Sequence, residues 1–317
     1  MMKLNGSRIM YKGILILILF ALMSIFKGYS QMPDAPEHEP LKVLNRSEED
    51  STVWFDPRDE PFNLIGFEWI NKDTIFRRLP VQPKWEIRKP VDGLANNTAG
   101  GQVRFVTNSK KILIEVELDK KSGMYHMPAT GQSGFDLYVE DGDEMKYNKT
   151  TRFHVDSVAY SEELFNSGER KLRTFIINFP LYNGVKSLKI GLERGATIQA
   201  PLPFSFPGKI VIYGTSITQG GCVSRPGMAY SNILSRKLDG QFVNLGFSGN
   251  GRGEPALAHL ISQISDVGLI ILDYEANASQ TIIDTIDPFI QIIRDKKPDV
   301  PILIMSKIRY ARETTGS

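Results

Sequence analysis

Between Trp54 and Leu192 the apolar residues fall in short runs rich in β-branched and aromatic side chains, each bounded by turn residues. Val103–Thr107 and Lys111–Leu118 are separated only by Asn108-Ser109-Lys110, and the second run alternates from Ile114 to Leu118 as a half-buried strand does. Phe135–Val139, Thr174–Phe179 and Ser187–Leu192 continue the series without an intervening helical period. Many short strands in succession predict a β-sandwich, jelly-roll-like, over residues 51–200. Gly195 to Gly208 then carries Pro201, Pro203 and Pro207, which disfavour helix and central strand and predict a linker or wall strand.

After this stretch the pattern changes. Lys209–Tyr213, Gln241–Asn244, Gly268–Leu272 and Pro301–Met305 read as strands, and Ala229–Leu238, Pro255–Ile264 and Ile282–Arg294 as helices between them. Short apolar strands alternating with helices predict a parallel sheet covered on both faces, an α/β doubly wound domain over residues 201–317.

The first thirty residues belong to neither domain. Lys3, Arg8 and Lys12 precede the apolar run Ile14–Phe26, and Gly28-Tyr29-Ser30 offers small residues before a cut ahead of Gln31. This predicts a signal peptide over 1–30 and a linker over 31–50, hence export to the periplasm or the extracellular space. The apolar run is shorter than the ~20 residues that cross a bilayer, so no membrane association is expected after cleavage.

Composition narrows the picture further. The chain of 317 residues is 41% hydrophobic and 23% charged, which excludes disorder, collagen and coiled coil. Without the signal, 34 basic residues face 36 acidic ones, and no basic run interleaves with aromatics, so no nucleic-acid partner is expected. Cys222 is the single cysteine, which excludes an internal disulfide and a CxxC metal site; a packed free thiol is the plain expectation for it.

In an open parallel sheet, ligands bind beyond the carboxyl ends of the strands. Three such ends carry candidate chemistry. Gly214-Thr215-Ser216-Ile217-Thr218 puts a serine on a tight turn, where it serves either as a nucleophile beside backbone N–H donors or as a cap of the next helix. It is not a G-x-S-x-G elbow, because position 218 is threonine. Asn244 to Gly251 is a glycine-rich turn that offers N–H donors, and its Gly246, Gly249 and Gly251 do not fit the dinucleotide pattern G-x-G-x-x-G. Asp273-Tyr274-Glu275-Ala276-Asn277 supplies a side-chain amide; its two acids, read as a glycosidase pair, would need a defined loop to converge.

Taken together, the three loops resemble the SGNH, or GDSL-like, hydrolase superfamily in order and in strand-end placement. The resemblance implies Ser216 as nucleophile, Gly249 as oxyanion glycine and Asn277 as amide donor, with Gly214, Thr215 and Asn250 as binding residues. It also implies a flavodoxin-like sheet, no metal and no organic cofactor. Upstream, Gly134-Phe135-Asp136-Leu137-Tyr138 resembles the G-x-D-L-Y motif of a β-sandwich domain that precedes certain bacterial SGNH domains, and Phe67-Glu68-Trp69 with Arg78-Leu79-Pro80 fits the same domain. Asp136 and Tyr138 read either as strand packing with a buried hydrogen bond or as substrate contacts.

One block of the family's pattern is missing. His38, His126, His154 and His259 are preceded three positions earlier by Ala35, Gly123, Thr151 and Ala256, so none completes the D-x-x-H that carries the family's base. A flavodoxin-like domain has five strands, whereas four are legible. The expectation is therefore a C-terminally incomplete hydrolase domain, with the base-bearing Asp and His beyond Ser317, or else a shortened product without normal activity. The expected activity is that of a secreted serine ester hydrolase, a carbohydrate O-acetyl esterase acting on an acylated small molecule or acetylated glycan. The alternative is a non-catalytic glycan-binding protein that uses exposed Trp54, Trp69 or Trp85.

Overall fold

The computed structural model describes residues 42–43 and 52–309; the expected signal peptide and His38, with nearly all of the expected linker, lie outside these residues. In the first half, strands β1 (Lys42–Val43), β2 (Thr52–Phe55) and β3 (Asn63–Ile65) precede helices α1 (Ile70–Asp73) and α2 (Lys89–Ala95). Strands β4 (Gln102–Thr107) and β5 (Lys111–Leu118) lead to α3 (Ala129–Ser133). Then come β6 (Asp136–Asp141), β7 (Glu144–Thr150), β8 (Ala159–Asn166), β9 (Arg173–Asn178), β10 (Val185–Glu193) and β11 (Thr197–Gln199).

These strands form two antiparallel sheets. One follows the order β1-β11-β4-β9-β6-β7, with β3 also paired to β4, and the other the order β2-β10-β5-β8. Both contribute to one core, in which Phe105, Leu137, Phe175 and Ile177 of the first sheet meet Ile112, Ile114, Leu188 and Ile190 of the second. Strand β5 shows the cause: Ile112, Ile114, Val116 and Leu118 are buried while Lys111, Glu115 and Glu117 are exposed, the period-2 split of a one-sided sheet. Strand β4 is buried along its whole length, because its second face is covered by the other half of the chain. There the Arg104 guanidinium stacks on Phe204 of the proline segment, 3.7 Å from the ring centroid.

The second half runs β12 (Lys209–Gly214), α4 (Ser216–Gln219), α5 (Tyr230–Leu238), β13 (Gln241–Gly246), α6 (Pro255–Gln263), β14 (Val267–Asp273), α7 (Glu275–Ala278), α8 (Ile282–Arg294) and β15 (Ile302–Ile304). Its four strands form a parallel sheet in the order β13-β12-β14-β15. Val211, Tyr213, Val243, Leu245, Ile270 and Leu272 bury one face against α6 and α8. Ile210, Ile212, Phe242 and Ile271 bury the other against Tyr230 and Leu234 of α5. Residues on alternate positions thus enter opposite cores, which is why these strands read as unbroken apolar runs. Val91 and Ala95 of α2, with Leu79, also join the first of these cores, so the upstream half helps to build the parallel sheet's surroundings. Among the described residues no helix is long and apolar enough to cross a membrane.

Two local expectations are corrected. Cys222 is exposed and sits at φ 65°, in the turn after α4, instead of packing in a core. The tryptophans, expected as exposed in the glycan-binding alternative, are half-buried: Trp69 and Trp85 pack on the parallel-sheet core, and Trp54 lies against Gly191 of β10. The indole of Trp85 stacks on His259 at 4.6 Å and 8°, which accounts for that histidine. The fully exposed aromatic is Tyr125 (99%).

Candidate active site

Strand β12 is central, with β13 and β14 as parallel neighbours, and Gly214 is in register with Gly246 on one side and Asp273 on the other. The three candidate loops therefore leave the sheet side by side. Their approach depends on missing side chains: a Cβ on Gly251 would stand 2.1 Å from the Gly214 carbonyl oxygen. The Phe247 N–H donates to that same carbonyl at 3.0 Å, tying the second loop to the first.

The capping question raised by the serine turn has a clear structural answer. Thr215, not Ser216, is the N-cap of α4: its hydroxyl accepts the Ile217 N–H, and Thr218 Oγ1 accepts the Thr215 N–H in return. This reciprocal capping box satisfies the orphan amides. Ser216 is thereby released from capping and is half-exposed. Thr215 and Gly214, read from sequence as binding residues, are buried beneath it.

Gly249 is exposed at φ 69°, a conformation for which glycine is suited. The Ser248–Gly249 peptide is fixed by Asn250, whose Nδ2 donates to the Ser248 carbonyl at 2.8 Å. In a trans peptide the N–H points opposite to the C=O, so holding the carbonyl from one side aims the Gly249 N–H to the other. Asn250 is held in turn by Arg88, which donates to its Oδ1 and its carbonyl at 3.1 Å and pairs with Glu254. The Tyr213 hydroxyl donates to Glu254 Oε2 at 2.7 Å and accepts the N–H of Gly253 at 2.9 Å, completing the support. Burial, together with the carboxylate of Glu254, raises the Tyr213 phenol well above its usual range.

Asn277 lies on the short helix α7, and its Oδ1 is buried without a hydrogen-bond partner. An amide whose oxygen is turned inward presents its NH2 outward, and an unsatisfied buried acceptor is a cost that functional sites tend to carry. Asp273, before it, accepts Thr218 Oγ1 at 2.7 Å and the Tyr230 hydroxyl at 2.9 Å through Oδ2, so it braces the serine turn.

Several further residues support this site, and of them the sequence singles out only Arg78, within Arg78-Leu79-Pro80. Arg78 has no exposed surface; it donates to the carbonyls of Leu94 and Asn97 at 2.7 Å and of Gly246 at 2.5 Å, and lies over the Phe247 ring at 4.7 Å. Burial pulls its guanidinium down to about 9. Tyr182 reaches the Ser216 carbonyl at 3.4 Å, and Gln219 spans from the Leu181 carbonyl to the Ser248 N–H at 3.0 and 2.9 Å. The connection between β9 and β10 thus touches the serine turn directly.

The described histidines have other partners. His126 meets Tyr125 edge-on at 4.8 Å, His154 lies 3.7 Å from Asp156, and His259 is stacked on Trp85. No cluster of His, Cys, Asp and Glu able to hold a metal ion occurs among the described residues.

Comparison with known proteins agrees with this architecture. Residues 52–198 match the GxDLY family, described as "N-terminus of Esterase_SGNH_hydro-type", and residues 208–315 match the GDSL-like Lipase/Acylhydrolase family. No curated protein sequence matches the chain. Among solved structures, a protein described as a GDSL-like lipase from Bacteroides ovatus is 30% identical with a TM-score of 0.70, over 80% of this chain and 73% of that one. The salicylyl-acyltransferase SsfX3 of a tetracycline biosynthetic pathway shares the fold at 19% identity and TM-score 0.62, over 80% and 72%. A family two carbohydrate esterase from Cellvibrio japonicus does so at 15% and 0.53, over 83% and 81%. The chain is a member of the SGNH, or GDSL-like, hydrolase family of ester-hydrolysing enzymes and bears the GxDLY domain at its amino-terminal side.

Proposed function

We propose that the protein is an exported carbohydrate O-acetyl esterase in which Ser216 is the nucleophile. The observation that carries this reading is the serine turn itself, where Thr215 takes over the capping duty and leaves Ser216 half-exposed between the Gly249 and Asn277 loops. Ser216 Oγ attacks the ester carbonyl carbon while its proton passes to a general base, and the carbonyl oxygen becomes an oxyanion. The N–H groups of Ser216 and Gly249 and the NH2 of Asn277 receive that charge, which is where preorganised donors contribute most. Collapse expels the sugar hydroxyl with a returned proton, and water then releases acetate from the acyl-serine by the same steps in reverse order.

None of the three described histidines completes a D-x-x-H block, and their contacts are with Trp85, Tyr125 and Asp156. The two antiparallel sheets with a common core support the jelly-roll-like β-sandwich expected of residues 51–200. The strand order β13-β12-β14-β15 supports a flavodoxin-like domain over 201–317. The sugar ester as substrate draws on the fold shared with the Cellvibrio japonicus carbohydrate esterase. The test is acetate release from acetylated oligosaccharides by the exported chain and by Ser216→Ala. A fall of roughly a thousandfold or more is expected when the nucleophile is removed. Equal rates would sink the assignment, and glycan binding with no hydrolysis by either protein would favour the non-catalytic alternative.

A further inference from the structure

Asp136 opens β6 within the Gly134-Phe135-Asp136-Leu137-Tyr138 motif and has no exposed surface. The ester chemistry does not use it, yet burying a carboxylate is costly unless it is paired and hydrogen-bonded. Its two oxygens face different halves of the protein. Oδ1 accepts from Asn178 Nδ2 of β9 at 2.7 Å, inside its own sheet. Oδ2 accepts the backbone N–H of Gly227, also at 2.7 Å, in the segment that leads into α5.

The same segment is gripped from its other side. Arg236 Nη2 donates to the Gly227 carbonyl at 2.8 Å while its guanidinium covers the Tyr138 ring at 3.8 Å. A Cβ on Gly227 would stand 2.4 Å from that ring and 2.8 Å from Asp136 Oδ2, so only glycine allows the backbone this close. Arg225 Nε lies 3.6 Å from the carboxylate, and its Nη2 donates to the Tyr138 hydroxyl at 3.4 Å. The held segment ends at Tyr230, the first residue of α5, whose hydroxyl meets Asp273 Oδ2 at 2.9 Å. Asp273 in turn holds Thr218, the capping partner of the serine turn.

We propose that Asp136 is a positioning residue for Ser216: its carboxylate fixes residues 225–229, so that Tyr230 braces Asp273 and Thr218 and the nucleophile turn keeps its alignment. This rests on the reading of Ser216 as nucleophile. The motif is then a latch between the two halves of the protein and touches no substrate.

The charge on the latch matters. Facing Asp136 are Arg225 from the segment, Arg236 from α5, Tyr138 from its own strand and the neutral Asn178 amide from β9; Tyr147 of β7 lies under Arg225 at 4.0 Å. Arg225 Nε and Arg236 Nη1 are buried without hydrogen-bond partners, so Asp136 is the carboxylate that balances both. Burial pushes Asp136 up to about 6, against the pull of Asn178 and Gly227. Because burial raises this group, the closed latch holds the proton more tightly than an opened one, so the latch closes more firmly as pH falls through about 6.

The experiment combines backbone hydrogen exchange of the full chain with labelling of Ser216 by a fluorophosphonate, in which Oγ bonds to phosphorus, fluoride leaves and the hydroxyl proton goes to base or solvent. In Asp136→Asn, protection at residues 215–221 and 225–230 is expected to fall about tenfold while β4 and β5 keep theirs, and labelling is expected to slow about tenfold. Tyr230→Phe should slow labelling while leaving 225–229 protected, which a merely structural loss would not do. Unchanged protection and labelling in Asp136→Asn would overturn the proposal. Should that variant lose protection everywhere, the wild-type chain decides. From about pH 7.5 down to 5, protection corrected for intrinsic rates must rise at 215–221 and 225–230 more than in β4, and no such contrast also overturns it. A wild-type chain that resists labelling yet shows the expected exchange pattern would refute the esterase reading and leave the latch standing.

Discussion

At the scale of single residues, the site depends on side chains that free or aim others. Thr215 matters because it caps where Ser216 otherwise would, and Asn250 matters because it fixes one peptide plane. Asn250→Ala removes the bond to the Ser248 carbonyl and, on the proposed assignment of Gly249 as an oxyanion donor, lets its N–H swing away from the oxyanion. Deleting an oxyanion donor costs 10²–10³ in kcat, so misaiming one is expected to cost about tenfold, with KM unchanged. Steady-state kinetics on a small acetyl ester checks this, and a change confined to KM would show that Asn250 contacts the substrate instead. The loops that hold Ser216, Gly249 and Asn277 were legible in the sequence because each follows an apolar strand. The Thr215–Thr218 capping box was not, since the bond that frees Ser216 is a matter of loop conformation.

At the scale of elements, the parallel sheet is supported from outside itself. Arg78, in the loop before α2, donates to carbonyls of Leu94, Asn97 and Gly246 and so ties the upstream half to the end of β13. Arg78→Met keeps much of the volume and deletes every donor. Each carbonyl left dry and unpaired costs about 1–3 kcal/mol, so a loss of roughly 2–4 kcal/mol is expected after local relaxation. Urea denaturation monitored by tryptophan fluorescence measures it, and a loss near zero would mean that water replaces the guanidinium. The strands and helices of the second half match their apolar runs closely, because both faces of each strand are buried. Strands β7 and β8 were not foreseen: Glu144–Thr150 and Ala159–Asn166 are largely polar sheet edges, held by ladder pairing to β6 and β5. Ladder hydrogen bonds come from the backbone and leave little trace in side-chain pattern.

At the scale of the whole molecule, the two halves are joined by buried polar groups whose titration reaches global stability. Asp136 titrates at about 6 in the folded chain against ~3.9 when unfolded. The folded state therefore holds an extra proton between about pH 4 and 6, so this group's contribution is fully present below about pH 4 and is lost as pH rises to about 6. Wild type should thus gain stability relative to Asp136→Asn as pH falls through that window. Urea midpoints of both proteins at about pH 4, 5, 6 and 7 give the comparison, and curves that stay parallel would refute it. Glu68 and Lys209, paired at 2.6 Å with little exposure, add a second ionic tie between the halves.

The sequence alone determined the order of β-rich and α/β halves, the strand-end loops that form the candidate site and the family to which the chain belongs. It could do so because hydrophobic period and strand-end loops are local properties of a chain. Only the tertiary structure decided that Thr215 rather than Ser216 caps α4, that Arg78 and Arg88 support the glycine loop, and that Asp136 grips Gly227 across 91 positions. Those contacts join residues far apart in sequence. What selects them is the need to satisfy buried charges and backbone groups, a condition that exists only once the chain has folded.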